Sequence, residues 1–156
     1  MREIAAICLV LSSTVSWCAA QDDLLRRAAQ LDSEGKCAEA EQYYKQAFTR
    51  APSSPAVLNN FGNHHLTCGR PEAAREYFER LLKLVPAHPN ANLQLARMAA
   101  EAKQGAKALA YLAHVKSSNP AILLLRAEAL HWAGRRAEAA NALDGVERDA
   151  RANLPV

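Results

Sequence analysis

Of four cysteines, Cys8 and Cys18 fall near the amino terminus; the other two, Cys37 and Cys68, with His64 and His65 between them, are the side chains with the most reactive chemistry. Cys37 and Cys68 form a disulfide candidate in an oxidising compartment. His64 and Cys68 stand four apart, on one face of a helix, a spacing that can hold a metal. Two ligands are not a site, and no nearby spaced carboxylate or second Cys/His pair completes it, so neither a metal nor another cofactor is expected. His65 has the spacing of a core residue, His88 falls between prolines in a turn, and His114 falls on the last turn of a helix. No phosphate-cradling glycine loop, Cys-x-x-Cys pair, His-Glu zinc pattern or Gly-x-Ser-x-Gly elbow occurs. Apart from Asp22-Asp23, Asp and Glu occur singly along helix surfaces, so a paired-carboxylate hydrolase has nothing to point to from sequence. No catalytic residue is assigned, and the chain reads as a non-enzyme.

The elements that must position these groups are helices. Apolar residues recur at helical spacing, as in Leu58, Phe61 and His65 or Phe78, Leu81 and Leu82. Eight helices are expected, over about 22–34, 38–50, 54–68, 72–84, 89–101, 105–117, 120–133 and 137–149. Breakers separate them: Gly35-Lys36, residues 51–55, Gly69-Arg70-Pro71, residues 86–89 and Ser117-Ser118-Asn119-Pro120. Pro71 suits a first helical turn, where a missing amide donor costs nothing. No stretch alternates as a strand does. The second and third helices should fold back antiparallel around residues 52–53, which puts Cys37 and Cys68 at one level of the pair. A bond there closes a loop of about 30 residues, worth roughly 3–4 kcal/mol by chain entropy. The alternative is two separate small apolar side chains, because helix axes roughly 8–10 Å apart can leave sulfurs out of reach.

A fixed interval organises the helices. Ala40, Ala74 and Ala108 recur every 34 residues. Each is followed by a large apolar residue (Tyr44, Phe78, Leu112), another apolar residue (Ala47, Leu81, Val115) and a proline (Pro52, Pro86, Pro120). A fourth copy, Ala139, Leu143 and Val146, comes 31 residues later without the proline. An alanine at a helix crossing lets two backbones approach, and the bulky residue one turn on fills the space beside it. Proline ends the second helix, since the residue before it avoids the helical region. Self-similarity at this period signals stacked helical hairpins.

This pattern resembles the tetratricopeptide repeat family. Repeat 2 carries it best, with Leu58, Phe61-Gly62, His65, Gly69, Ala74, Phe78 and Pro86. Repeat 1 shows Leu24, Ala28, Leu31, Gly35, Ala40, Tyr44 and Pro52. Repeat 3 shows Leu95-Ala96, Ala99, Ala108, Leu112 and Pro120, and repeat 4 shows Leu123, Ala127, Leu130, Gly134, Ala139 and Leu143. The repeats run about 21–54, 55–88, 89–119 and 120–153. Arg27 and Arg126 replace apolar residues of the pattern, Asn92 replaces an aromatic, and repeat 3 lacks the glycine between its helices. The resemblance implies an all-α fold, a right-handed α-solenoid of about four helix-turn-helix repeats forming one domain over 21–156.

It also implies a concave groove lined by the first helix of each repeat. Repeat 1 would contribute Asp22, Ala29 and Ser33, and repeat 2 Asn59, Asn63 and Thr67. Repeat 3 would contribute Asn90, Arg97 and Glu101, and repeat 4 Glu128, His131 and Trp132. Asparagine both donates to and accepts from a peptide backbone, and tryptophan anchors many interfaces. The clamp by which some members hold the carboxylate end of chaperone tails is missing, because Leu25 and Ala29 stand where it needs Lys and Asn.

Residues 1–20 are of another kind. Arg2, an apolar run from Ile4 to Val15 and the small ending Cys18-Ala19-Ala20 read as a secretory signal peptide cleaved before Gln21. The run is too short for an ordinary membrane span. Nineteen Lys and Arg against sixteen Asp and Glu give a net charge of +3. The basic residues are scattered, without the stripe that neutralises a row of phosphates, so nucleic acid is not an expected partner.

The expected function is therefore a non-catalytic protein- or peptide-binding scaffold, exported to the periplasm or secreted. Self-association through the C-terminal repeat is the structural alternative, since solenoids usually want a capping helix. An assembly factor for an envelope complex (pilus, secretion or cytochrome maturation) is a further one, by analogy of fold. A metal-dependent enzyme ranks last.

Overall fold

The computed structural model describes residues 22–152, with side chains through 146. The signal-peptide assignment at 1–20 lies outside the described residues. Eight helices follow one another among them, with no strand: α1 (22–33), α2 (Cys37–Arg50), α3 (Pro55–Thr67), α4 (Pro71–Leu84), α5 (Pro89–Glu101), α6 (Gly105–Leu112), α7 (Pro120–Trp132) and α8 (Arg136–Ala152). The chain divides into two compact units, one ending at Arg80 and the other beginning at Leu81.

The same device joins the two helices of every repeat. The amides of Lys36, Arg70, Gln104 and Arg135 reach back to the carbonyls of Leu31, His65, Ala99 and Leu130. The amides of Gly35, Gly69, Lys103 and Gly134 bond to Asp32, Leu66, Ala100 and His131. These paired bonds are the Schellman closure, which needs a left-handed residue just past the helix. Glycine supplies it three times, and Lys103, at φ 58°, supplies it in repeat 3. Proline opens α3, α4, α5 and α7, where its missing N–H has no helical partner to lose.

In the first unit, α2 packs on α3, and Leu25, Ala28, Leu31, Ala40, Tyr44, Ala47, Val57 and Phe61 form the core. Phe61 stacks on Tyr44 and lies against Tyr77 of α4. In the second unit, α5 packs on α6, α6 on α7 and α7 on α8, while α5 also meets α7. Ala96, Ala99, Ala100, Ala108, Leu112, Val115 and Ala129 fill that core. The recurrent Ala40, Ala74 and Ala108 are all fully buried, as their role at helix crossings requires.

Three departures from the repeat pattern have local answers. Asn92 is buried because its amide donates to the carbonyls of Pro86 and His88, at 2.9 and 3.0 Å. The Arg126 guanidinium donates to the carbonyls of Leu112 and Val115, at 3.0 and 3.3 Å. Those contacts finish α6 at Leu112, so the helix expected to reach 117 stops five residues short. His114 therefore lies in a turn past the helix, not on its last turn. In repeat 1, Arg27 is exposed and donates to Gln30.

Candidate functional site

The repeat-opening helices present the expected groove residues separately in the two units. On α3, Asn59, Asn63 and Thr67 recur every four residues and so share one face. Asn59 and Asn63 are half-buried and Thr67 is exposed. Asn59 donates to Asn60 at 3.4 Å. In the second unit, Asn90, Arg97 and Glu101 share a face of α5, with Arg97 and Glu101 exposed and Asn90 accepting from Gln94. On α7, Trp132 is 39% exposed. The Lys103 ammonium sits 4.9 Å from the centre of its ring, and His131 meets it edge-on. Glycine at 105 is what lets α6 come this close, because a Cβ there would land on the backbone of Ala129, Trp132 and Ala133.

Glu128 and His131 also border an apolar depression of about 420 Å³ between α7 and α8, with Leu124, Ala139 and Leu143 in its wall. Leu124 and Leu143 are 47% and 43% exposed. In the earlier repeats the residues equivalent to Leu143, namely Tyr44, Phe78 and Leu112, are all buried. The fourth repeat thus leaves its bulky position open to solvent.

The reactive residues of the first unit come together at one end of the α2–α3 pair. Cys37 is the first residue of α2 and Cys68 follows the last residue of α3; they are joined as a disulfide, with Cα atoms 6.0 Å apart. The His64 ring lies against this bond, its Nδ1 3.7 Å from the Cys68 sulfur. Its side chain is entirely buried, yet both nitrogens are engaged. Arg70 approaches Nε2 at 3.0 Å. A guanidinium can only donate, so Nε2 accepts and the ring proton belongs on Nδ1. From there it is donated to Asp32 Oδ1 at 2.7 Å. The other Asp32 oxygen accepts from the Tyr44 hydroxyl at 3.0 Å. Burial, then the Asp32 carboxylate, push the Tyr44 hydroxyl well above its ordinary pKa, so it remains a donor.

Arg70 extends the network to Glu41 at 2.8 Å, and Glu41 also pairs with Lys45 at 2.9 Å. Hydrogen bonds from Lys45 and Arg70 hold the Glu41 carboxyl down to about 2. His65 differs from its neighbour. It stacks between Phe61 and Tyr77, its Nδ1 has no partner, and burial, then the Arg70 charge, push it down to about 4.

Asp32 is the member that sequence reasoning missed. It occupies the register position held by Leu66 and Ala100 in the next two repeats. A carboxylate at an otherwise apolar position was the available signal, and only folding shows what it faces.

Helical hairpins closed by one repeated turn, with exposed polar faces, define a helical-repeat protein. A family model described as "Tetratricopeptide repeat" matches residues 33–83 and 66–120, and the chain belongs to that family. Over 80 residues the chain is 38% identical to the tetratricopeptide repeat and J domain-containing co-chaperone DNJ1 of Fusarium oxysporum f. sp. lycopersici. That alignment covers 51% of this chain and 15% of the relative, so the chain spans a small part of the relative's length. The crystal structure of MamA protein superposes with a TM-score of 0.71 at 17% identity, over 87% of this chain and 78% of that one. At that identity the likeness is one of fold. Repeats of this family make a protein-interaction scaffold. No described helix is long and apolar enough to cross a membrane.

Proposed function

We propose that this chain is a non-catalytic scaffold of the cell envelope or secreted space that holds a protein or peptide segment along its repeat-opening helices. The observation that carries this reading is the division of labour on those helices. One side of each helix is buried in the core of its own unit, α3 in the first and α5 and α7 in the second, while Thr67, Arg97, Glu101, Glu128 and Trp132 are exposed. Asn59, Asn63 and Asn90 add amides that suit capture of an extended backbone. A co-chaperone among the relatives fits a polypeptide ligand. The apolar leader and the Cys37–Cys68 bond support an oxidising, exported setting.

Affinity capture from the envelope fraction tests the binding face, with wild type beside a triple variant, Asn63→Ala, Arg97→Ala and Trp132→Ala. The wild type should retain a partner that the variant loses; identical captured sets overturn the assignment. Amino-terminal sequencing of the mature protein tests export, and should begin at Gln21.

A second reading, self-association, is favoured by the apolar depression at Leu124 and Leu143. Light scattering across a concentration series decides it: growth in mass supports stacking, and a monomer at every concentration refutes it.

A further inference from the structure

The Cys37–Cys68 disulfide lies directly against the polar network of His64 and Asp32. One carboxylate oxygen of Asp32 and the sulfurs of Cys37 and Cys68 all fall within 4.8 Å of one another. Thiolates and a carboxylate are a donor set suited to zinc, which takes sulfur at about 2.3 Å and oxygen at about 2.0–2.2 Å. We propose that reduction of the Cys37–Cys68 bond opens a zinc-binding site whose protein ligands are Cys37, Cys68 and Asp32. The bond and the ion are then alternative occupants of the same place. This does not depend on the peptide-binding reading, since none of the three ligands belongs to the assigned faces.

The surroundings suit a metal centre. Ligating carboxylates are characteristically held by outer hydrogen bonds. Asp32 accepts one at each oxygen, from the buried His64 ring and from the Tyr44 hydroxyl. Each oxygen keeps a further lone pair for a cation. His64 acts here as a positioning residue, because Arg70 already occupies its Nε2. Two thiolates and a carboxylate around Zn²⁺ leave one net negative charge, with the Arg70 guanidinium on the far side of the ring to offset it. Cys37 opens α2, and a helix amino terminus favours a thiolate. The Cα separation of 6.0 Å lets the sulfurs part to about 3.8 Å, the span of two thiolates on one tetrahedral ion, by side-chain rotation. Three protein ligands leave the fourth position to water.

The redox balance is simple. A dithiol reductant delivers two electrons and two protons to the S–S bond and leaves as its own disulfide. The two new thiols then lose their protons as the ion enters.

The test reduces the protein with a phosphine, which takes its oxygen from water as it is oxidised, and titrates it with Co²⁺ as an optical probe. Reduced wild type should develop thiolate-to-cobalt absorption and tetrahedral bands at one ion per chain, which Zn²⁺ then bleaches. The unreduced protein and Cys37→Ser should show neither. Asp32→Asn should bind at least about tenfold more weakly, and Tyr44→Phe, which loses only an outer hydrogen bond, by about tenfold. If reduction itself lowers helix content by circular dichroism, Zn²⁺ should restore it. Absence of the thiolate band in reduced wild type overturns the proposal. So does an unchanged affinity in Asp32→Asn, or helix lost on reduction that Zn²⁺ does not recover.

Discussion

Phe78 lays the edge of its ring against Gly62, so closely that a methyl group at 62 would stand 2.7 Å from Phe78 Cε1. Both residues are buried, so the ring could retreat only by displacing other close-packed core atoms. Alanine would ordinarily gain about 1 kcal/mol over glycine inside a helix. Overpacking at a rigid contact costs about 1–3 kcal/mol, and here it wins. Gly62→Ala should lower the urea midpoint, and adding Phe78→Leu should recover part of the loss. An unchanged or higher midpoint would show that the contact does not limit packing.

Lys103 should respond in the opposite sense to two small substitutions. Its left-handed φ costs a non-glycine residue about 1 kcal/mol, while its ammonium over Trp132 returns about 0.5 kcal/mol. Lys103→Gly should therefore stabilise slightly, by about 0.5 kcal/mol, and Lys103→Ala should destabilise by a similar amount. Urea unfolding measures both, with Trp132 fluorescence reporting loss of the overlying cation.

Acid should weaken the fold in two stages. His65 is held down to about 4, below its unfolded value near 6.5, so it supports the fold fully above 6.5. That support, roughly 2–3 kcal/mol, is lost as pH falls from 6.5 to about 4. His65→Phe should flatten this part of the profile and also relieve the unpaired Nδ1. Glu41, held at about 2, supports the fold above about 4.5 and loses that support as pH falls towards 2. Its partners are partly in solvent, which limits the effect to about 1 kcal/mol. Glu41→Gln should remove only the lower stage. Equilibrium unfolding at a series of pH values separates the two; a profile unaltered by either substitution would contradict these assignments.

Breaking the Cys37–Cys68 bond should cost about 3 kcal/mol in metal-free buffer, since it spans 31 residues of chain. Phosphine should shift the unfolding curve of wild type by this amount and leave a Cys37→Ser, Cys68→Ser double variant untouched. Equal sensitivity in both would mean that the shift has another origin.

The helical pattern and its interval were legible in the linear chain because each repeat reuses one solution to one packing problem. Ala40, Ala74 and Ala108 announce crossings, and the prolines announce where helices begin and end, since both properties belong to the residue itself. The symmetry of Cys37 and Cys68 about residues 52–53 could be read for the same reason: it follows from counting along two antiparallel helices. What Asp32, Arg126 and Asn92 do could not be read, because a polar side chain in an apolar register acquires its meaning from whichever carbonyl, ring or hydroxyl folding sets before it. The early stop of α6 and the convergence of Asp32 on His64, Tyr44 and the two sulfurs were decided only in three dimensions. Hydrophobic spacing is a local property of the chain, whereas a hydrogen-bond partner is supplied by distant sequence.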